Sequence, residues 1–263
     1  MILDDIVHFR KEQLDREKSA VSYDEIKKAA EKLSQPCKGF GKALKAQGLS
    51  VIAEVKKASP SKGLIQPDFH PAENGEAYEK AGAAAISCLT EEHYFMGSSD
   101  YFRAVRERVN IPMLRKDFII DPYQIYEARV MGADAVLLIA ALLDTEKLSE
   151  YRKIAESLDL DVLAETHNEY ELDSVLNAGC TVIGVNNRDL KTFEVSLETT
   201  KRLLDTIPKE FVRVSESGIK NNEDMKMLRS YGADAVLIGE TLMRSGLDGI
   251  ADCMKSLKEG LYD

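Results

Sequence analysis

Eight short apolar runs, most of them closing on charged or polar residues, are separated by stretches whose apolar side chains recur with helical spacing. In chain order the runs are Ser50–Lys57, Ala83–Thr90, Ile111–Asp117, Ala133–Ile139, Asp161–Thr166, Thr181–Asn187, Phe211–Glu216 and Ala233–Glu240. Nearly continuous runs such as Val136-Leu-Leu-Ile139 suit strands covered on both faces. Regular strand–helix alternation predicts a parallel sheet, and eight rounds at this length predict a closed α/β architecture, the (β/α)8 barrel, with its chemistry where the strands end. One segment repeats letter for letter: Gly132-Ala-Asp-Ala-Val-Leu137 returns as Gly232-Ala-Asp-Ala-Val-Leu237, at the same point of the pattern. An open doubly wound sheet would carry a glycine-rich loop after its first strand. Here that stretch is Lys56-Lys-Ala-Ser-Pro-Ser-Lys-Gly63, with a single glycine.

Helix boundaries are marked locally. Asp121-Pro-Tyr-Gln124 places Asp at the N-cap, and Thr166-His-Asn-Glu169 predicts a second cap directly after the fifth strand. Gly82, Gly132, Gly179 and Gly232 each stand just before a strand, where a left-handed residue ends a helix. Residues 1–48 precede the first strand. Ile6, Phe9 and Leu14 predict a surface helix over Asp4–Lys18, and the capping box Ser22-Tyr-Asp-Glu25 opens another. Two or three helices capping one end of the barrel follow, as part of one domain spanning residues 1–263, since no linker-like stretch divides them from Ser50.

The 263 residues, 44% hydrophobic, suffice for one large core. No apolar stretch approaches the roughly 20 residues of a membrane span. The first six residues lack a basic-then-apolar leader, so a cytoplasmic protein without a membrane partner is expected. The net charge of −10 disfavours nucleic acid but allows an anionic small molecule where local positive charge or backbone N–H groups receive it. Four scattered cysteines without a CxxC pair read as reduced thiols, and four histidines without ligand spacing give no metal site.

The strand ends supply the candidate chemistry. Glu54 and Lys56 fall on one side of the first strand; either they are an ion pair closing the barrel mouth or they act on a substrate. Lys116 ends the third strand and is a candidate proton donor, with an affinity for protons expected to fall through desolvation and a neighbouring Lys56. Glu165, before a helix, could serve as a base or only favour the helix dipole. Two carboxylates and two amines converging on one mouth favour acid–base work. Asn186 and Arg188 can hold hydroxyls and a carboxylate, while Asp189 orients the backbone or Arg188. The ends of the last two strands, Ser215-Glu216-Ser217-Gly218 and Gly239-Glu240, stand where such barrels commonly bind phosphate, with Ser59 able to contribute a hydroxyl.

Six motifs in order, Glu54-Val-Lys-Lys-Ala-Ser-Pro-Ser61, Leu89-Thr-Glu91 with Tyr94-Phe-Met-Gly-Ser98, Leu114-Arg-Lys-Asp-Phe118, Gly184-Val-Asn-Asn-Arg-Asp-Leu190, Ser215-Glu-Ser-Gly-Ile219 and Leu237-Ile-Gly-Glu240, resemble the indole-3-glycerol phosphate synthase family of tryptophan biosynthesis along the whole chain. The resemblance implies conversion of 1-(2-carboxyphenylamino)-1-deoxyribulose 5-phosphate to indole-3-glycerol phosphate, with loss of carbon dioxide and water and without cofactor or metal. It implies Lys116 as the acid for ring closure, Lys56 at the substrate carboxylate and Glu165 as the base in dehydration. Glu54 and Asn186 then hold hydroxyls and orient the lysines, and Arg188 lies on the carboxylate side. Ser59, Ser217, Gly218, Gly239 and Glu240 border the phosphate end, with the Glu240 side chain turned away from it, and Glu216 is counted among the substrate-binding residues. Leu89, Phe95, Leu137 and Leu237 wall the aromatic ring. Ala164, smaller than the Val or Ile expected there, faces away from Glu165. The alternatives are another phosphate-binding barrel enzyme, such as phosphoribosylanthranilate isomerase, or a non-catalytic phosphosugar-binding barrel; the long extension and the lysine pair argue against the isomerase. A monomer is the expected assembly.

Overall fold

The eight apolar runs become eight parallel strands, β1 (Ser50–Val55), β2 (Ala85–Leu89), β3 (Met113–Lys116), β4 (Ala135–Ile139), β5 (Asp161–Thr166), β6 (Val182–Asn186), β7 (Val212–Glu216) and β8 (Ala235–Ile238). The computed structural model describes residues 2–45 and 48–261; the outermost residues of the predicted 1–263 span and two residues of the extension lie outside these. Each strand pairs with its sequence neighbours and β8 returns to β1, which closes the barrel. No described helix is long and apolar enough to cross a membrane.

The period of two sorts side chains into two cores. Ile52, Ala85, Leu114, Ala135, Leu163, Val182, Val214 and Ala235 fill the interior. Val51, Ile86, Met113, Val136, Ala164, Ile183 and Val236 join the layer beneath the helices. Ala164 thus faces outward, opposite to Glu165. The glycines before β2, β4, β6 and β8 have φ between +81° and +89°, the left-handed conformation that ends a helix.

The N-terminal extension does not cap one end; its helices reach both. Ile2–Ala20 lies over the C-terminal mouth, tied there by Arg10, whose Nε and Nη2 donate to Asp117 at 2.9 and 3.0 Å, and by Gln13 Nε2 donating to Thr90 O at 3.2 Å. Tyr23–Glu31, opened by the predicted capping box, packs on the helix Tyr123–Val130. Phe40–Leu44 then seals the opposite end, its Phe40 and Leu44 completing the inner core and its Gly41 N–H donating to Asp161 at 2.9 Å. A charged residue decides this course. Arg10, fully buried, has its partner 107 residues away, so spacing of apolar residues alone could not place the first helix.

One cap is also displaced. The helix after β5 spans Glu169–Asn177 and is capped by Asn168, whose side chain accepts the Glu171 N–H, rather than by Thr166. Thr166 still pairs with Val185 in the ladder, which keeps it in the strand.

Candidate active site

Inward positions that are apolar deep in the barrel become charged at the mouth: Ile52 gives way to Glu54, Leu114 to Lys116, Leu163 to Glu165 and Val214 to Glu216. Lys116 is the hub. Its Nζ lies 2.8 Å from Glu165 Oε2 and 2.9 Å from Glu216 Oε2. Asn186 Nδ2 donates to the other Glu165 oxygen at 3.1 Å, and Asn186 Oδ1 accepts the Arg188 N–H at 3.0 Å. Lys56 and Glu54 form an adjoining ion pair. Two glycines make room for these side chains. A Cβ at Gly184 would stand 2.1 Å from Glu216 Oε1, and one at Gly239 would stand 2.2 Å from Glu54 Oε2.

The charges set one another. Burial works against the Lys116 ammonium, but Glu165, Glu216 and Glu54 outweigh it and raise its proton affinity well above the ordinary lysine value. The expected fall is therefore reversed: the neighbours that matter are carboxylates, and they face Lys116 from β1, β5 and β7, none of which pairs with β3. The two acids sharing that ammonium diverge. Burial alone would raise Glu165, yet Lys116 and His167 hold it well below the usual carboxylate range. Glu216, pushed up first by burial and then by repulsion from Glu165, rises to about 7.

All the candidate residues border one cavity of about 560 Å³, a size suited to a small ligand. Leu89, Phe95, Leu137 and Leu237 line it, joined by Phe118, whose ring centroid is 5.8 Å from that of Phe95. The carboxylate of buried Glu91 fixes the Phe95 loop by accepting the N–H groups of His93, Tyr94 and Phe95 at 2.8–2.9 Å. Ser59, Ser217, Gly218, Gly239 and Glu240 line the cavity as well. Ser217 and Gly218 both take positive φ, +68° and +88°, and a Cβ on Gly218 would strike Val195 at 2.5 Å. The Glu240 carboxylate is engaged by Arg244 Nε at 2.9 Å and by Lys62 Nζ at 3.6 Å. Asp189 accepts the N–H groups of Lys191 and Thr192, so it shapes its own loop rather than holding Arg188.

Several lining residues escaped the sequence reading. Ile2, Leu3 and Ile6 come from the first helix, and Lys62, Lys220 and Arg244 bring cations to an acidic protein's cavity. His167, which touches Glu165, was considered only for metal ligation; its place two residues beyond Glu165 was the available signal. Among the described residues no cluster of three or more His, Cys, Asp or Glu side chains is arranged to hold a metal.

The sequence model described as indole-3-glycerol phosphate synthase matches residues 3–251. A protein of that name from Alkaliphilus metalliredigens is 48% identical over 264 residues, covering 100% of both chains. Another of that name, from Ruminiclostridium cellulolyticum, is 52% identical over 250 residues, covering 95% of this chain and 96% of its own. Among solved structures, thiamine phosphate pyrophosphorylase from Pyrococcus furiosus superposes with a TM-score of 0.60 at 16% identity, covering 80% of this chain and 94% of its own. The N-acetylmannosamine-6-phosphate 2-epimerase from Clostridium perfringens gives 0.60 at 14%, covering 76% and 90%. These two likenesses speak for the barrel alone. The near-complete family match, together with relatives about half identical along their whole length, is decisive: the chain belongs to the indole-3-glycerol phosphate synthase family.

Proposed function

We propose that this chain closes the indole ring of 1-(2-carboxyphenylamino)-1-deoxyribulose 5-phosphate, releasing carbon dioxide and water to give indole-3-glycerol phosphate. The observation that carries the residue roles is the Lys116 ammonium held between Glu165 and Glu216 beneath an apolar-walled cavity. Attack of the aryl carbon on the ketone needs a proton at the carbonyl oxygen, and Lys116 supplies it. Lys56 receives the substrate carboxylate, whose departure as carbon dioxide restores the aromatic ring. Dehydration then sends the hydroxyl out as water with a proton supplied by Lys56, while Glu165, kept ionised, accepts the ring proton. Glu54 and Asn186 hold hydroxyls and orient the lysines, and Arg188 attends the carboxylate side.

The phosphate lies against Ser59, Ser217 and the backbone of Gly218 and Gly239, with Lys62, Lys220 and Arg244 supplying the field that the net charge of −10 withholds elsewhere. The Glu240 carboxylate is occupied by Arg244 and Lys62, so its backbone rather than its side chain faces the anion. We place the enzyme in the cytoplasm as a monomer, with the extension working as part of the barrel domain.

The test is indole fluorescence on mixing the purified protein with this substrate. The chain has no tryptophan, so product emission stands clear of the protein's own. Rising fluorescence with stoichiometric carbon dioxide is the expected result; a flat trace from folded protein refutes the proposal.

A further inference from the structure

The Glu165 carboxylate has a third neighbour that the proposed roles do not use. His167 Nε2 lies 3.4 Å from Glu165 Oε1, and His167 Nδ1 lies 3.0 Å from Glu171 Oε2. The ring is fixed from outside: Glu171 Oε2 also accepts the His167 backbone N–H at 2.8 Å, and Glu171 Oε1 accepts Asn168 Nδ2 at 2.8 Å. Side-chain exposure is 11% for His167, 14% for Glu171 and 4% for Glu165. Nδ1 is hydrogen-bonded to Glu171 Oε2, whereas Nε2 stands at ion-pair distance from Glu165 Oε1 without a hydrogen bond, and a carboxylate beside each nitrogen favours the doubly protonated ring. Burial opposes that charge, but the two carboxylates prevail and raise His167 to about 10.

Resting on Glu165 as the base, we propose that His167 is a positioning residue: as an imidazolium it anchors Glu165 Oε1 and keeps the carboxylate ionised after Lys116 turns to the substrate. The geometry divides the two oxygens. Oε2 faces Lys116, while Oε1 faces His167 and Asn186. Of the groups around Glu165, Lys116 and His167 are cationic, Asn186 is neutral, and Glu216 across the mouth opposes ionisation. When the Lys116 ammonium is drawn to the carbonyl oxygen, His167 is the remaining cation, and Oε2 is the oxygen freed to take the ring proton. His167 does not border the cavity, so it acts through Glu165 and not on the substrate.

The test uses His167→Gln, which retains a donor without charge, and His167→Asn, which is too short to reach Glu165. Losing a neighbouring cation raises a carboxylate's proton affinity, so the base is lost sooner as the pH falls. A charged partner at this range is worth roughly one to three pH units. Once Lys116 has turned to the substrate no other cation stands beside Glu165 in the variants, so burial lifts its proton affinity into the range of the scan, and the single-turnover rate is expected to fall about tenfold relative to wild type at the acid end of a scan from about pH 5 to 9, with half-saturation unchanged. Thermal melts confirm that each variant is folded. A variant-to-wild-type ratio that stays constant across the scan, or a change confined to half-saturation, overturns the inference. Glu165→Gln separates the two claims. Unimpaired turnover in that variant removes the base itself, whereas an inactive Glu165→Gln beside a flat His167→Gln profile removes only the role of His167.

Discussion

Replacing Glu216 with glutamine should stabilise the protein relative to wild type as the pH rises, and the size of the effect follows from the barrel mouth. Glu216 is 1% exposed, shares one ammonium with Glu165, and leaves Oε1 without a hydrogen-bond partner. Burial and the neighbouring carboxylate raise it from 4.5 to about 7. Because the folded affinity exceeds the unfolded one, the native state holds a proton in this window that the unfolded chain has released. The contribution is complete below the unfolded value and is lost as the pH rises through the folded value. A shift of this size corresponds to about 3 kcal/mol. Glutamine fills the same space beside Gly184 and does not titrate. Its pH-independent costs, among them one acceptor fewer for Lys116, cancel when the difference from wild type is compared between two pH values. Urea unfolding at about pH 5 and about pH 8, followed by circular dichroism and tyrosine fluorescence, should show that difference moving in favour of Glu216→Gln by about 2–3 kcal/mol, slightly less than the full shift because pH 5 lies above the unfolded value. An equal difference at both pH values would refute the reasoning. A shift in the opposite direction would mean that Lys116 holds Glu216 ionised.

Three further substitutions probe the site and its support. Lys116→Ala should lower the single-turnover rate by about 10²–10⁴-fold, the ordinary worth of a positioned acid, while circular dichroism shows an intact barrel; near-wild-type turnover would take Lys116 out of the chemistry. Gly239→Ala brings a methyl to within 2.2 Å of Glu54 Oε2 and 2.9 Å of Lys56 Nζ, so the ion pair must move, and turnover should fall about a hundredfold. Arg10→Ala leaves Asp117 buried without one of its two arginines and should cost about 3–5 kcal/mol in urea unfolding; a loss below about 1 kcal/mol would show that Arg115 alone satisfies Asp117.

What the sequence revealed depended on how far each signal had to travel. The strands and the glycine-led joints rest on local rules, a two-residue period and a left-handed cap, and all eight strands and all four glycines appear where those rules place them. The cap after β5 was ambiguous because Thr166 and Asn168 each precede a glutamate by three residues. Pairing of Thr166 with Val185 chose between them, and that information lies in a neighbouring strand. The direction of the Lys116 shift was beyond local reading for the same reason: its partners come from β5 and β7. The course of the first helix depended on Arg10 and Asp117, and a buried arginine looks like a surface one until its partner is known.

The glycines of the mouth follow a rule that could be read earlier. A narrow barrel cannot place long charged side chains at every inward strand end, so one strand must yield space to another. Glu54 stands beside Gly239 because β1 and β8 pair with Ala53 opposite Ile238, which sets the next residues side by side. Glu216 extends over Gly184 from the adjoining strand, where Asn186 is its paired neighbour. Neither glycine has a positive φ, so left-handed backbone geometry does not explain it; the missing side chain does. An inward glycine at or near the mouth, beside a strand whose last inward residue is glutamate, therefore marks where a buried carboxylate has been given room. That pairing was visible in the chain once the closed order of the strands was assumed, and it would have singled out Glu54 and Glu216 by a physical criterion independent of family resemblance.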